Sequence, residues 1–201
     1  DMGIDLVSVV ADNDATKQQN QIDDLISQGC QAIIIVAVDT ATVGTSLEAC
    51  KAAGVYTICC GRQPADMTNC DVFVSANNEE MTRLAVDSIL AAGEELGLET
   101  IKTVELVGKL TDQNAVERSN YFKQFAEESG KIEIVGEVAT EWNQDTAFNR
   151  FSDVYNTLNG DFDAIFIPSD SYIPPVESVL KANNDWGKYG EDNYRIITGM
   201  D

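Results

Sequence analysis

The amino-acid sequence predicts an α/β protein built on parallel sheets. Short apolar runs alternate with stretches of helical periodicity along the whole chain. The 201 residues are 44% hydrophobic, enough to build one large α/β domain or two small ones. A strand running into a long helix near Ser75–Asn78 separates two such alternating series. Alternation of this kind implies right-handed crossovers between parallel strands.

In order, Ile4–Val10 reads as a strand. Thr16–Gln28 reads as a helix, with Ile22, Leu25 and Ile26 on one face. Ala32–Val36 is a continuous apolar run, as expected of a strand covered on both faces. Thr42–Ala53 is helical and is stopped by Gly54, as glycine just past a helix end does. Strands follow at Val55–Cys60 and Asp71–Ser75. Asn78 is the expected N-cap of the next helix, with Glu79 and Glu80 in its first turn, where carboxylates suit the helix dipole. That helix runs to about Leu96. The second series is strand Thr103–Val107, helix Asn114–Glu128, strand Glu133–Val138, helix Gln144–Leu158, strand Ala164–Ile167, helix Pro174–Ala182 and strand Arg195–Thr198. Pro174 and Pro175 fit a helix start.

Lysine and arginine number 13 against 34 acidic residues, for a net charge of −21. A field of that sign repels phosphate backbones, so no nucleic-acid contact is expected through this segment. The acidity is spread along the chain and reads as a solvated surface that favours a soluble monomer. No run approaches the roughly 18 apolar residues of a membrane helix. There is no histidine, which removes the commonest general base and metal ligand. The five cysteines, Cys30, Cys50, Cys59, Cys60 and Cys70, show no CxxC spacing, so no metal site is expected. Cys59 and Cys60 read as buried strand residues; the alternative is a Cys60–Cys70 bridge closing a short loop. No GxGxxG, GxxxxGK[ST] or GxSxG motif occurs, and neither catalysis nor a cofactor is expected.

In open α/β sheets, ligands sit beyond the C-terminal strand ends. Those ends carry Ala37-Val38-Asp39, Gly61-Arg62-Gln63, Gly108-Lys109-Leu110-Thr111, Glu141-Trp142-Asn143, Ser169-Asp170-Ser171 and Met200-Asp201. An arginine fork donates to hydroxyl or carboxylate oxygens, and an indole suits the C–H face of a sugar ring. Asp201 would accept from hydroxyls. Each residue has a plainer alternative. Asp39 reads as a helix cap, Arg62 could be a surface charge, Trp142 a rim residue, and Arg118 half of a helix-face salt bridge.

The stretch Asp12-Asn13-Asp14, Gln21 to Gly29, Ala32-Ile33-Ile34-Ile35 and Asp39 is similar to the N-terminal domain of the ribose-type periplasmic sugar-binding proteins of ABC importers. Ala53-Gly54-Val55, the strand ending in Arg62 and the crossing at Ser75-Ala76-Asn77-Asn78 extend the match. So do Val104 to Gly108, Glu117-Arg118, Phe122 and Gly199-Met200-Asp201. The resemblance implies the type I periplasmic binding protein fold, also the core of LacI-type regulators, with two flavodoxin-like (Rossmann-like) lobes closing over a ligand. On that basis residues 1–76 form part of the N-terminal lobe and 77–201 most of the C-terminal lobe. It further implies an export signal, an ABC permease with its ATPase as partners, and a place outside the cytoplasm, in the periplasm or as a lipoprotein on a Gram-positive cell surface. Gly61, Arg62, Arg118, Trp142, Ser169, Asp170 and Asp201 are then the expected ligand-binding residues, and a monosaccharide the expected ligand. Gly61, Val36, Ser169 and Met200 depart from the family pattern (commonly Asp, Asn, Asn and Phe), which argues against ribose itself and for another monosaccharide or a furanosyl ligand. The family has one more strand and helix before Gly3, about thirty residues, and continues past Asp201. The chain is therefore expected to be part of a longer protein and to bind poorly alone. The competing expectations are the effector core of a LacI-type regulator and an extracellular sensor domain.

Overall fold

A computed structural model describes residues 3–200. The chain divides into two compact units, Asp1–Ala76 and Asn77–Asp201.

The first unit contains α1 (Ala15–Ser27), β1 (Ala32–Ile35), α2 (Val43–Ala53), β2 (Tyr56–Cys60) and β3 (Val72–Val74), with the strands parallel in the order β1-β2-β3. Asp14 caps α1, its carboxylate accepting from the Lys17 amide. Ile22 and Leu25 of α1 pack with Val43, Leu47 and Cys50 of α2 against Ile33, Ile35 and Cys59. Both helices therefore lie on one sheet face. Ile34, Tyr56 and Val74 point to the other and are exposed.

The first unit departs from the sequence expectation at two segments. Ala32–Val36 is not covered on both faces: its burial alternates, and Ile34 and Val36 are exposed. Ile4–Val10 forms no strand, and Ile4 and Leu6 are 68% and 82% exposed. A strand is defined by its ladder, and an apolar run without a partner keeps its backbone groups in water. This segment instead flanks a cavity of about 540 Å³, bordered on its other side by Ile33–Val36 of the β1 region. Gln21 Nε2 donates to the Val10 carbonyl and Gln18 Nε2 to the Val36 carbonyl, so α1 ties down both walls.

The second unit contains α3 (Asn78–Glu95), β4 (Ile101–Val107), α4 (Gln113–Ser129), β5 (Ile132–Ala139), α5 (Gln144–Leu158), β6 (Ala164–Phe166), a 3-10 turn (Asp170–Tyr172), α6 (Ile173–Ala182) and β7 (Ile196–Thr198). The strands are parallel in the order β5-β4-β6-β7. Helices α3 and α4 cover one face, where Ala85, Ile89, Phe122 and Phe125 meet Phe166 and Ile196. Helices α5 and α6 cover the other, where Phe151, Val176 and Leu180 meet Val104, Leu106 and Ile165. Cover on both faces explains why β6 and the second half of β4, Val104–Val107, are mostly apolar and buried. The exception is Glu105, a fully buried carboxyl in the middle of β4.

Asn78 does not cap α3. Asn77 does, accepting from the Glu80 amide, and Asn78 is the first helical residue, turned inward and buried.

Candidate functional site

In the first unit the structure gathers the predicted Arg62 with Asp12, Asn13 and Gln18 around one cavity. Gly61 makes this possible. Its backbone is left-handed, at φ 71°, a conformation that costs a residue with a Cβ about 1–2 kcal/mol. The bend reverses the chain just past β2, the Arg62 amide reaches back to the Cys60 carbonyl, and Arg62 Nη1 donates to the Ala37 carbonyl at 3.1 Å. Asp39 Oδ1 accepts from the Ala41 and Thr42 amides and secures the turn into α2. All five cysteines are free thiols. Cys59, rather than Cys60, is hydrogen-bonded to Cys70, and burial pushes its thiol up to about 12. Among the described residues no group of three or more cysteines or carboxylates is placed to hold a metal ion.

In the second unit the chain runs from β4 to β5 on one side and then, through α5, to β6 on the other. The order reverses at β4, and a crevice opens where neighbouring connections diverge. Four predicted residues stand on that rim. Arg118, 8% exposed, projects inward from α4: its Nε donates to Asn78 Oδ1 at 2.9 Å and its Nη1 to the Pro168 carbonyl at 2.5 Å. Asn78 Nδ2 in turn donates to Asn114 Oδ1 and Glu117 Oε2. This cage fixes the guanidinium beside the end of β6. Trp142 is partly exposed, and its Nε1 donates to Asp112 Oδ2 at 2.9 Å. Ser169 Oγ and Ser171 Oγ lie 3.0 Å apart. The Asp170 amide donates to the Met200 carbonyl, joining the ends of β6 and β7. Gln144 Nε2 donates to the Ser171 carbonyl, joining the ends of β5 and β6. Met200 itself belongs to the core, and Asp201 lies outside the described residues.

Asn78 and Asp112 are part of this arrangement and are not among the residues predicted from sequence. Asn78 reads as a cap because Asn77 and Asn78 are adjacent and chemically identical, and only the helix register decides between them. Asp112 follows the strand-end motif by one residue and is indistinguishable from an ordinary cap.

Part of the backbone strain falls at the same places. Among the described residues six non-glycines are left-handed: Asn159 and Asn184 just past helix ends, and Asp12, Asn13, Glu141 and Trp142, which all follow a predicted or observed strand. Such residues cost of order 1–3 kcal/mol each and concentrate at ligand sites. Glu141→Gly is therefore expected to raise the unfolding free energy by up to about 1 kcal/mol, since its exposed ion pair with Arg150 contributes little. Urea unfolding checks this; an unchanged or lowered midpoint would mean the bend is not costly.

An open parallel sheet whose strand ends present a caged arginine, an aromatic ring and carboxylates is the architecture of the α/β ligand-binding proteins. The match to the periplasmic binding protein domain extends over residues 1–201, and the chain belongs to that family. It is 30% identical to the D-apiose import binding protein of Actinobacillus succinogenes over 85% of this chain and 54% of that protein. It is 27% identical to the ribose import binding protein of Bacillus subtilis over 92% of this chain and 57% of that one. The chain thus spans little more than half the length of either relative. An ABC transporter solute binding protein from Mycobacterium smegmatis, solved with bound glycerol, superposes with a TM-score of 0.79 at 26% identity, over 90% of this chain and 61% of that one.

Proposed function

We propose that the protein to which this chain belongs is the solute-binding component of an ABC importer and takes a small polyhydroxylated ligand, a monosaccharide or a close relative. It works outside the cytoplasm, delivers its ligand to a permease driven by an ATPase, and performs no chemistry on it. The observation that carries the reading is the rim of the second unit, where the Arg118 guanidinium is held beside the end of β6, Ser169 and Asp170 follow β6, and Trp142 follows β5. A guanidinium donates to hydroxyl oxygens, a carboxylate accepts from hydroxyl groups, and an aromatic ring covers C–H surface; together these fit a sugar. Within the first unit, Arg62, with the Gly61 bend behind it, places a guanidinium donor at the end of β2. Both relatives are import binding proteins, which favours this reading over the core of a transcription regulator.

Calorimetric titration of the full-length protein with D-apiose, D-ribose, L-arabinose, D-galactose, myo-inositol and xylitol tests the proposal. Saturable binding of at least one is expected. Absence of heat with every member of the panel would overturn it.

A further inference from the structure

Asp112 is 7% exposed and divides its two carboxylate oxygens between two tasks. Oδ1 accepts from the Asn114 amide at 3.0 Å and caps α4. Oδ2 accepts from Trp142 Nε1 at 2.9 Å. Capping requires one oxygen, and serine, threonine or asparagine would supply it. The second oxygen goes beyond the cap and accepts from the indole.

The ring is constrained from other directions as well. Trp142 has φ 54°, a left-handed backbone rare for so bulky a residue. The backbone of Gly108 lies against the benzo ring, where a Cβ would come within 2.2 Å of Cζ2. Tyr172, buried beneath the rim, stacks on the indole with centroids 6.0 Å apart and planes 18° from parallel. An indole has a single N–H donor and no acceptor. With that donor bonded to a buried carboxylate, Trp142 can offer a ligand ring surface alone.

We propose that Asp112 is a positioning residue: by holding the indole N–H it sets the plane of Trp142, so that the ring meets the C–H face of a bound sugar and not its hydroxyls. This rests on the sugar-binding reading above. The ring-surface contact is sensitive to tilt, because its dispersion contacts fall off steeply with separation. A free indole would rotate toward a ligand hydroxyl and lose that overlap.

The test uses the full-length protein and the sugar that binds it best among the panel. Asp112→Ser keeps the cap but is too short to reach the indole. It is expected to weaken binding roughly 10-fold with little change in melting temperature. Asp112→Asn keeps both the cap and an acceptor and is expected to recover most of the affinity lost in Asp112→Ser. Trp142→Phe, which keeps a ring without the N–H, is expected to weaken binding by itself, and Asp112→Ser added to it should cost nothing more. Wild-type affinity in Asp112→Ser, or an equal loss from that change with and without the indole N–H, would overturn the proposal. A wild-type protein that binds no sugar would overturn the sugar-binding reading instead. The positioning role is then still read from indole fluorescence: Asp112→Ser should shift the emission to the red relative to Asp112→Asn, and coincident spectra would overturn it.

Discussion

Replacing Arg118 with methionine is expected to weaken sugar binding roughly 100-fold, the loss of one or more charge-assisted hydrogen bonds worth about 1.5–3 kcal/mol each. The same change should destabilise the second unit by about 3 kcal/mol. The guanidinium satisfies Asn78 Oδ1 and the Pro168 carbonyl, and both sit where water does not readily replace it. Removing one member of a buried charged network leaves the others unpaired, which costs more than the pair contributed. Arg118→Lys retains the charge but not the planar fork, so it should recover part of the stability and little of the affinity. Calorimetry and urea unfolding on the same three proteins separate the two effects. Wild-type affinity in Arg118→Met would remove Arg118 from the site.

The second large effect concerns Glu105. Its carboxyl is fully buried in β4, and burial raises its pKa from 4.5 to about 7, against the opposing pull of Ser119 and Lys123. Lys123 Nζ stands 3.6 Å from Glu105 Oε2 but also pairs with Glu137 at 2.6 Å, so it cannot serve Glu105 fully. A group protonated more readily in the folded state than in the unfolded one favours folding at low pH. Its contribution is complete below pH 4.5 and is lost as the pH rises through about 7. A shift from 4.5 to about 7 corresponds to about 3 kcal/mol. Glu105→Gln mimics the protonated form. The difference in unfolding free energy between mutant and wild type is expected to grow in favour of the mutant from pH 5 to pH 8 by about that amount. Taking the difference cancels the self-repulsion of a chain of net charge −21, which acts on both proteins alike. A difference that stays flat with pH would show that Glu105 is ionised in the fold without penalty.

The second unit was nearly transparent to sequence reading because its sheet is covered on both faces. Its helices are amphipathic stretches, β6 is an unbroken apolar run, and the helix expected at Gln144–Leu158 coincides with α5. The first unit was less so. Ile4–Val10 has the composition of a strand, but composition measures a preference for a sheet and not the presence of a neighbour to pair with. The same limit applies to Ala32–Val36, whose apolar residues Ile34 and Val36 are exposed. Strand-end position marks Arg62 in the first unit and Trp142, Ser169 and Asp170 in the second as candidates. It could not show that Arg118 points inward, since a helix of mixed polarity does not announce which face a long side chain follows.

Periodicity along the chain decided the class of fold, the order of its elements and which loops lie at the carboxyl ends of strands, because those follow from local side-chain spacing. Tertiary structure alone decided that Asn78 rather than Asn77 turns inward beneath Arg118, and that Asp112 holds the Trp142 indole across an interval of thirty residues. Those choices depend on which backbones meet, and contacts between distant segments leave no period in a sequence.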